Sequence, residues 1–360
     1  MLSKNIQYMP RLDHLRFLAA GLVFTFHLFH FYFGQWQPHP EIPYYGLITE
    51  GHTGIALFFV LSGFIFMTIA LQKGELHYGQ FIRNRFLRIF PLFLLVFFIA
   101  ISVGRDSFQA SDVFYVFFSN LGTAPTSDAF ITGAAWTISV EFSFYLLFPF
   151  LAKFTREQGP GFLLRLIAIF MVIKIAAYHV SASPTHMFYS TLVGRFDQFL
   201  WGMFAAWIYH HYLNDLKKVA NIMIFIGITL VILAVAYQAE HASYFLAKEI
   251  KPKFWIYWSN MEAILWGVVI LAYMSSPIKI PGLIDKFLAW GGELSYSFYL
   301  WHGLIIFLMY QYLGALAPFN SMAANLLLNF IMVLPALLGF AWLSYRTIEL
   351  PFLGLRKRYF

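Results

Sequence analysis

The side chains best suited to chemistry in this chain are His27, Glu141, His302 and the arginines Arg16, Arg83, Arg85 and Arg88. A neutral imidazole takes a proton near physiological pH, which suits His27 to general-base work. It follows Arg16 by 11 residues, so on one helix it sits roughly 16 Å deeper along the axis. Arg85 and Arg88 are i and i+3 and share a helix face, and guanidinium forks on one face suit phosphates. Glu141 closes the phrase Trp136-Thr137-Ile138-Ser139-Val140-Glu141, the opening turns of a later apolar run. Entering from the other side, it is expected at the depth of His27, where it would hold the second ring nitrogen as a carboxylate does in serine triads. His302, with Tyr299 one turn before it, lies about two turns inside a further run; a core hydrogen bond and a contact with substrate are both open to it. Each feature has a plain alternative. His27 can be a histidine bonded to a neighbouring helix, the arginines an interfacial anchor, and His30, nearer the far interface, is read as structural.

These groups stand out because of the solvent the composition implies. The 360 residues are 60% hydrophobic and 11% charged, against about 25% charged for a soluble chain. Such a chain cannot cover a water-facing surface, whereas a bilayer accepts it, and about 20 apolar residues cross as a helix. The fold expected is all-α, a polytopic membrane protein of about ten transmembrane helices forming a single domain over 1–360. The apolar runs fall near 15–33, 54–72, 86–103, 136–152, 162–180, 195–211, 219–237, 255–274, 295–313 and 323–345. The stretch 113–121 is too short to cross and reads as interfacial or re-entrant. Phe24, Phe26, His27, Phe29 and His30 stand where a cleavable signal would carry small residues, so the first run is retained. With no cysteine, disulfides, thiolate metal sites and a cysteine nucleophile are excluded, and no metal site is expected.

Ten crossings put both ends on one side. Of the 24 Lys and Arg, 18 fall in segments on that side and five opposite, namely Arg105, Arg195, Lys248, Lys251 and Lys253, with Lys174 inside a span. The positive-inside rule then places both termini in the cytoplasm, the chain crossing the inner (plasma) membrane many times. The basic residues segregate by membrane side rather than onto one soluble face, so the net charge of +7 is no argument for nucleic acid. Lys174 and Glu262, both mid-span, are expected to pair with each other. Trp36, Tyr44 and Tyr45 suit either sugar stacking or interfacial anchoring.

Several phrases resemble the membrane-bound acyltransferase-3 family, in that family's order across nearly the whole chain. They are Arg11-Leu12-Asp13-His14-Leu15-Arg16 followed by His27, Gly54-Ile55-Ala56-Leu57-Phe58-Phe59-Val60-Leu61-Ser62-Gly63-Phe64, and Arg83 to Arg88 with Phe90-Pro91. Next come Trp136-Thr137 through Glu141 with Phe144-Tyr145 and Pro149, then Tyr296-Ser297 with Tyr299-Leu300-Trp301-His302, and Ile348-Glu349 with Pro351. The resemblance implies a ten-helix core that moves an acyl group, commonly acetyl, onto a hydroxyl of a carbohydrate or lipid-linked glycan. It implies His27 as the essential histidine with Arg16 as its partner, Arg85 and Arg88 as the pair linked with the acyl donor, and Trp136 and Glu141 near the reacting groups. Many members carry an SGNH hydrolase-like domain after the last span. Only about 15 residues follow it here, so a second transfer step is expected to need another protein or not to occur.

Together these readings predict that acyl-CoA, a cosubstrate rather than a tightly bound cofactor, docks its phosphates on Arg83, Arg85 and Arg88 with Arg16. Its thioester is expected to reach His27 between helices, with the acceptor hydroxyl arriving from the far side. Tyr299 and His302 are expected in the substrate pocket, and Trp136, Ser139 or an arginine is expected to supply an oxyanion donor. The rival reading is a transporter or flippase of a lipid-linked sugar or other solute, which intramembrane charges also suit. It lacks support in one respect, since no related pair of halves is visible in the sequence.

Overall fold

The computed structural model describes residues 8–34, 45–103, 106, 135–244 and 252–359. The stretch 113–121 and the loop aromatics Trp36 and Tyr44 lie outside the described residues. Every regular element among the described residues is helical. In a bilayer this follows from the backbone, whose N–H and C=O groups have no water to bond and must satisfy one another within the segment.

In chain order the helices are α1 Pro10–Phe33, α2 Gly46–Thr49, α3 Thr53–Lys73, α4 Tyr78–Val103, α5 Ala135–Gln158 and α6 Gly161–Val180. They continue as α7 Pro184–Ser190, α8 Leu192–His241, α9 Phe254–Ser275, α10 Gly282–Leu313 and α11 Met322–Ser344. A π-helical turn, Tyr345–Glu349, joins α11 to α12, Leu350–Gly354. Local chemistry marks several ends. Pro10 opens α1, where its missing N–H costs nothing. Gly34 closes it in the left-handed region at φ 61°. The Ser321 side chain caps α11 by accepting from the Ala324 N–H.

Among the described residues, eight helical stretches are long and apolar enough to cross a membrane. One of them, α8, is 50 residues long and leaves helical geometry at Tyr212. At about 1.5 Å per residue it is more than twice as long as one crossing requires. Its two parts correspond to the runs 195–211 and 219–237. The polar residues Asn214, Asp215, Lys217 and Lys218 between them are helical rather than looped. The ninth run likewise lies inside a longer helix, α10, whose first half carries Asp285, Lys286 and Glu293. The chain is a polytopic helical membrane protein.

Helix α3 is the hub, with 83% of its apolar window buried against 17% for the peripheral α6. It packs on α1, α8 and α9, and α4, α5 and α8 enclose the flank that carries Ser62. The approach of α3 to α8 depends on two glycines. A Cβ at Gly63 would collide with the Phe199 carbonyl oxygen, and one at Gly202 with that of Val60. Backbone therefore lies on backbone at this crossing, as small residues allow in membranes.

The mid-span charges pair otherwise than expected. Lys174 does not bond Glu262; its ammonium donates to Asp197, to Ser259 and, at 3.0 Å, to the Gly194 carbonyl. Glu262 instead accepts from Arg195 at 3.2 Å and from Gln198 at 2.9 Å. Arg195 and Asp197 both lie on α8, which interposes a partner of each sign between α6 and α9. All four ionisable groups are buried. Two crossed pairs thus neutralise each other where a lone charge would be costly.

Candidate active site

A cavity of about 100 Å³ opens between α1, α3, α4, α5 and α10, room for several water molecules or a small acyl end. Arg16, Arg85 and Arg88 line it together with Glu141, Ser62, Tyr145, Tyr296 and Tyr299. The helices supply these groups in a simple way. On α4, Arg85 and Arg88 are one turn apart, and Phe81 and Phe90, on the buried side, hold the helix against the bundle. On α5, Glu141 and Tyr145 are i and i+4, so both face α3.

Each arginine is held differently. The Arg85 guanidinium lies over the rings of Phe66, Phe81 and Tyr145, at 4.8, 5.6 and 5.9 Å from their centroids; the planar guanidinium suits such packing better than an ammonium does. Arg88 forms a 2.9 Å ion pair with Glu349 and lies over Tyr296. Glu349 also accepts from the Ser297 hydroxyl, its carboxylate turned inward by the π-helical turn that ends with it. Tyr296 donates its hydroxyl proton to the Ile89 carbonyl at 2.7 Å, tying α10 to α4. Arg16 donates to Asp13 at 2.9 Å. The rest of its motif anchors α1: Arg11 donates to the carbonyls of Tyr273 and Ile278 at the end of α9, and His14 bonds the Tyr273 hydroxyl at 2.7 Å.

Glu141 accepts from the Ser62 hydroxyl at 2.8 Å and from the Tyr145 hydroxyl, both on the same oxygen. This overturns the expectation that it holds the His27 ring. Nδ1 of His27 lies 2.8 Å from the Val23 carbonyl, one turn back on α1, and 3.2 Å from Nε2 of His302. The His302 Nδ1–H in turn donates to the Tyr299 carbonyl. A carbonyl only accepts, so Nδ1 carries the proton in both rings. The basic lone pair of His27 is then on Nε2, and the second imidazole, rather than a carboxylate, completes the arrangement.

The cavity ends at Tyr299, whose ring borders it, lies 5.6 Å from the ring of His302 and meets Phe58 edge-on at 5.9 Å. Its hydroxyl and that of Thr137 are 3.0 Å apart. His27 and His302 do not line the cavity, and the ring of Tyr299, which does, neighbours that of His302. Of the residues singled out in the sequence, Arg16, Arg85, Arg88, Glu141 and Tyr299 share the cavity, and His27 and His302 form the adjoining pair. Arg83 is exposed and does not line it. Trp136 and Ser139 are buried but off its wall; Trp136 meets Tyr189 at a tilt and Phe59 edge-on and lies under Arg195. Ser62, Tyr145, Tyr296 and Glu349 were not singled out as site residues. All four stand in the phrases that carry the family resemblance, and Tyr145 is in addition i+4 from Glu141. Among the described residues no three His, Cys, Asp or Glu side chains lie close enough to hold a metal ion.

Residues 9–346 match the acyltransferase domain family that the ordered phrases resemble. The chain belongs to the acyltransferase-3 family. Its curated relatives include the peptidoglycan O-acetyltransferase OatA of Listeria monocytogenes, 27% identical over 96% of this chain and 56% of the relative. The O-acetyltransferase OatA of Staphylococcus aureus is 24% identical over 98% of this chain and 58% of its own length. The chain thus spans little more than half the length of these relatives. No solved structure matches it. As an acyltransferase-3 protein with O-acetyltransferase relatives, it is a membrane acyltransferase, and the arginines and carboxylate of the cavity are read in that light.

Proposed function

We propose that this protein moves an acetyl group from acetyl-CoA, on the cytoplasmic side, to a hydroxyl of a cell-envelope glycan or its lipid-linked precursor. The observation that carries the reading is the cavity itself: three guanidinium groups and one carboxylate converge in it, and it stops one ring short of a hydrogen-bonded histidine pair. Guanidinium forks at the near end suit the phosphates of a nucleotide thioester. The imidazoles at the far end suit an incoming alcohol. The bias of Lys and Arg to one side supports putting the arginine end, and both termini, on the cytoplasmic face. The name of the Listeria relative, a peptidoglycan O-acetyltransferase, favours a cell-wall saccharide as acceptor class.

The acceptor hydroxyl gives its proton to Nε2 of His27, and its oxygen attacks the thioester carbonyl. The C–S bond of the tetrahedral intermediate then breaks, and the departing thiolate takes the proton back from the imidazolium. His302 holds the His27 ring in the tautomer that this needs. Glu141, fixed by Ser62 and Tyr145, lies on the donor side, where its charge and theirs orient the thioester end. An arginine of the cavity is the nearest cation for the developing oxyanion.

Purified full-length protein given acetyl-CoA and a lipid-linked saccharide, with products read by mass spectrometry, tests the proposal. Appearance of the O-acetylated saccharide supports it, and stoichiometric solute movement across vesicles without acyl transfer would replace it with the transporter reading. Comparison of surface glycans from cells with and without the intact gene identifies the acceptor.

A further inference from the structure

Residues 355–359 lie beyond the family match, which ends at residue 346, yet they are built into the wall beside the arginine cavity. Asn84 on α4 clamps Lys357 from both directions, accepting its backbone N–H at 3.0 Å and donating to its carbonyl. The Tyr359 carbonyl accepts from the His77 N–H at 2.9 Å. The Tyr359 ring, 1% exposed, meets Phe81 edge-on at 5.4 Å. Phe81 is also one of the three rings around the Arg85 guanidinium. The segment and the arginine of the proposed donor site therefore share one aromatic box.

Arg356 stands between these anchors. Its Nε–H donates to the Leu353 carbonyl at 3.2 Å, and its charge lies within electrostatic reach of Arg85 and Arg88. Burial first, then these two like charges, pull its proton affinity down to about 10. That still leaves it a cation at neutral pH. Arg88 is answered by Glu349. Arg85 rests on ring faces, and its buried Nε has no hydrogen-bond partner among the described residues. Like charges within electrostatic reach of one another repel, and a bound polyanion relieves that repulsion.

We propose that Arg356 is a third guanidinium of the donor-phosphate site, beside Arg85 and Arg88, and that Tyr359 and Asn84 hold the segment that presents it. The ligand class is the phosphate-bearing end of a nucleotide thioester. The proposal rests on the donor-site reading above. An anionic lipid headgroup offers the same phosphate chemistry, and the experiment separates the two sources.

Dissociation constants for CoA and for phosphate-free pantetheine are measured by calorimetry on the full chain in neutral detergent, for the wild type and for Arg356→Ala, Tyr359→Ala and Arg85→Ala. Loss of one charged contact to phosphate predicts CoA binding about tenfold weaker in Arg356→Ala, with pantetheine unchanged. Tyr359→Ala follows Arg356→Ala, because the support is lost with the anchor. Unchanged CoA affinity in Arg356→Ala, beside a loss in Arg85→Ala, overturns the role of Arg356 alone; no loss in either variant removes the donor-site reading itself. Equal weakening of CoA and pantetheine would mark a packing role and also overturn the proposal. So would unchanged CoA binding together with lost retention on phosphatidylglycerol vesicles, which would assign Arg356 to the lipid surface. Should Arg356→Ala fail to fold, Arg356→Gln, which keeps most of the stem, decides by the same outcomes.

Discussion

His302 places its Nε2 3.2 Å from Nδ1 of His27, while its own Nδ1–H is engaged by the Tyr299 carbonyl. With the Val23 carbonyl 2.8 Å from the same His27 nitrogen, the base of the proposed reaction has its tautomer set from two directions. Replacing His27 by Ala should lower transfer by about 10²–10⁴-fold, the usual worth of general-base catalysis, with membrane insertion intact. Normal glycan acetylation in that variant would remove the base. For His302→Ala the Val23 bond remains, so the expected loss is in turnover, with the donor KM unchanged and the acid limb of the pH–rate profile displaced. His302→Gln, whose amide oxygen can accept from Nδ1–H, should recover part of the rate. A purely structural role would leave the pH profile where it was.

Glu141 takes two hydroxyl hydrogen bonds on one oxygen inside the donor cavity. Glu141→Gln keeps the shape and removes the charge. Turnover should fall by at least about tenfold, the scale of one preorganised electrostatic contact, while CoA affinity stays within about twofold. An effect confined to the CoA dissociation constant would assign Glu141 to donor binding instead.

Arg88 and Glu349 form a partly buried ion pair across α4 and the π-helical turn. Arg88→Ala strands the carboxylate, so the cost should be about 3–5 kcal/mol, that of breaking a buried pair from one side. The double variant Arg88→Ala with Glu349→Gln should recover much of that stability without recovering CoA affinity. Recovery of both would show that Arg88 acts only through the fold. Arg85→Ala, whose guanidinium has rings rather than a carboxylate for neighbours, should lose donor affinity with a smaller change in thermal midpoint.

The crossing of α3 and α8 is closed by Gly63 and Gly202. Alanine at either position forces two helix backbones apart and should cost at least about 1–3 kcal/mol, the range for overpacking a filled interior. Thermal unfolding in detergent measures it. Unchanged midpoints in both variants would mean that the helices are not so close.

Much of this was legible in the sequence, for identifiable reasons. A polytopic helical membrane protein followed from apolar runs against a charge content too low for water, since hydrocarbon thickness fixes their length. The end of α8's first half was legible, but its continuation was not: Asn214, Asp215, Lys217 and Lys218 read as a loop, whereas exposed polar residues keep a helix intact as readily as they break one. Arg85 and Arg88 could be grouped because i, i+3 spacing is local. The partners of His27 could not, because His302 is 275 residues away and depth along a helix says nothing about which face meets which neighbour. Glu141 looks towards α3, where it accepts from Ser62, and not towards His27. Lys174 and Glu262 were paired by sign alone, without allowance for Arg195 and Asp197, two residues apart on the helix between them. Arg195 had been counted with the water-facing cations, and it is buried.

Tyr299 has a bearing on idle enzyme. Its phenol borders the donor chamber on one side and the His302 ring on the other, latched towards Thr137. If the cavity holds the donor as proposed, a thioester in it would be separated from the imidazole by this side chain. Stray water would meet the same barrier, so spontaneous discharge should stay slow. The thrift of such an enzyme would reside in a single rotamer.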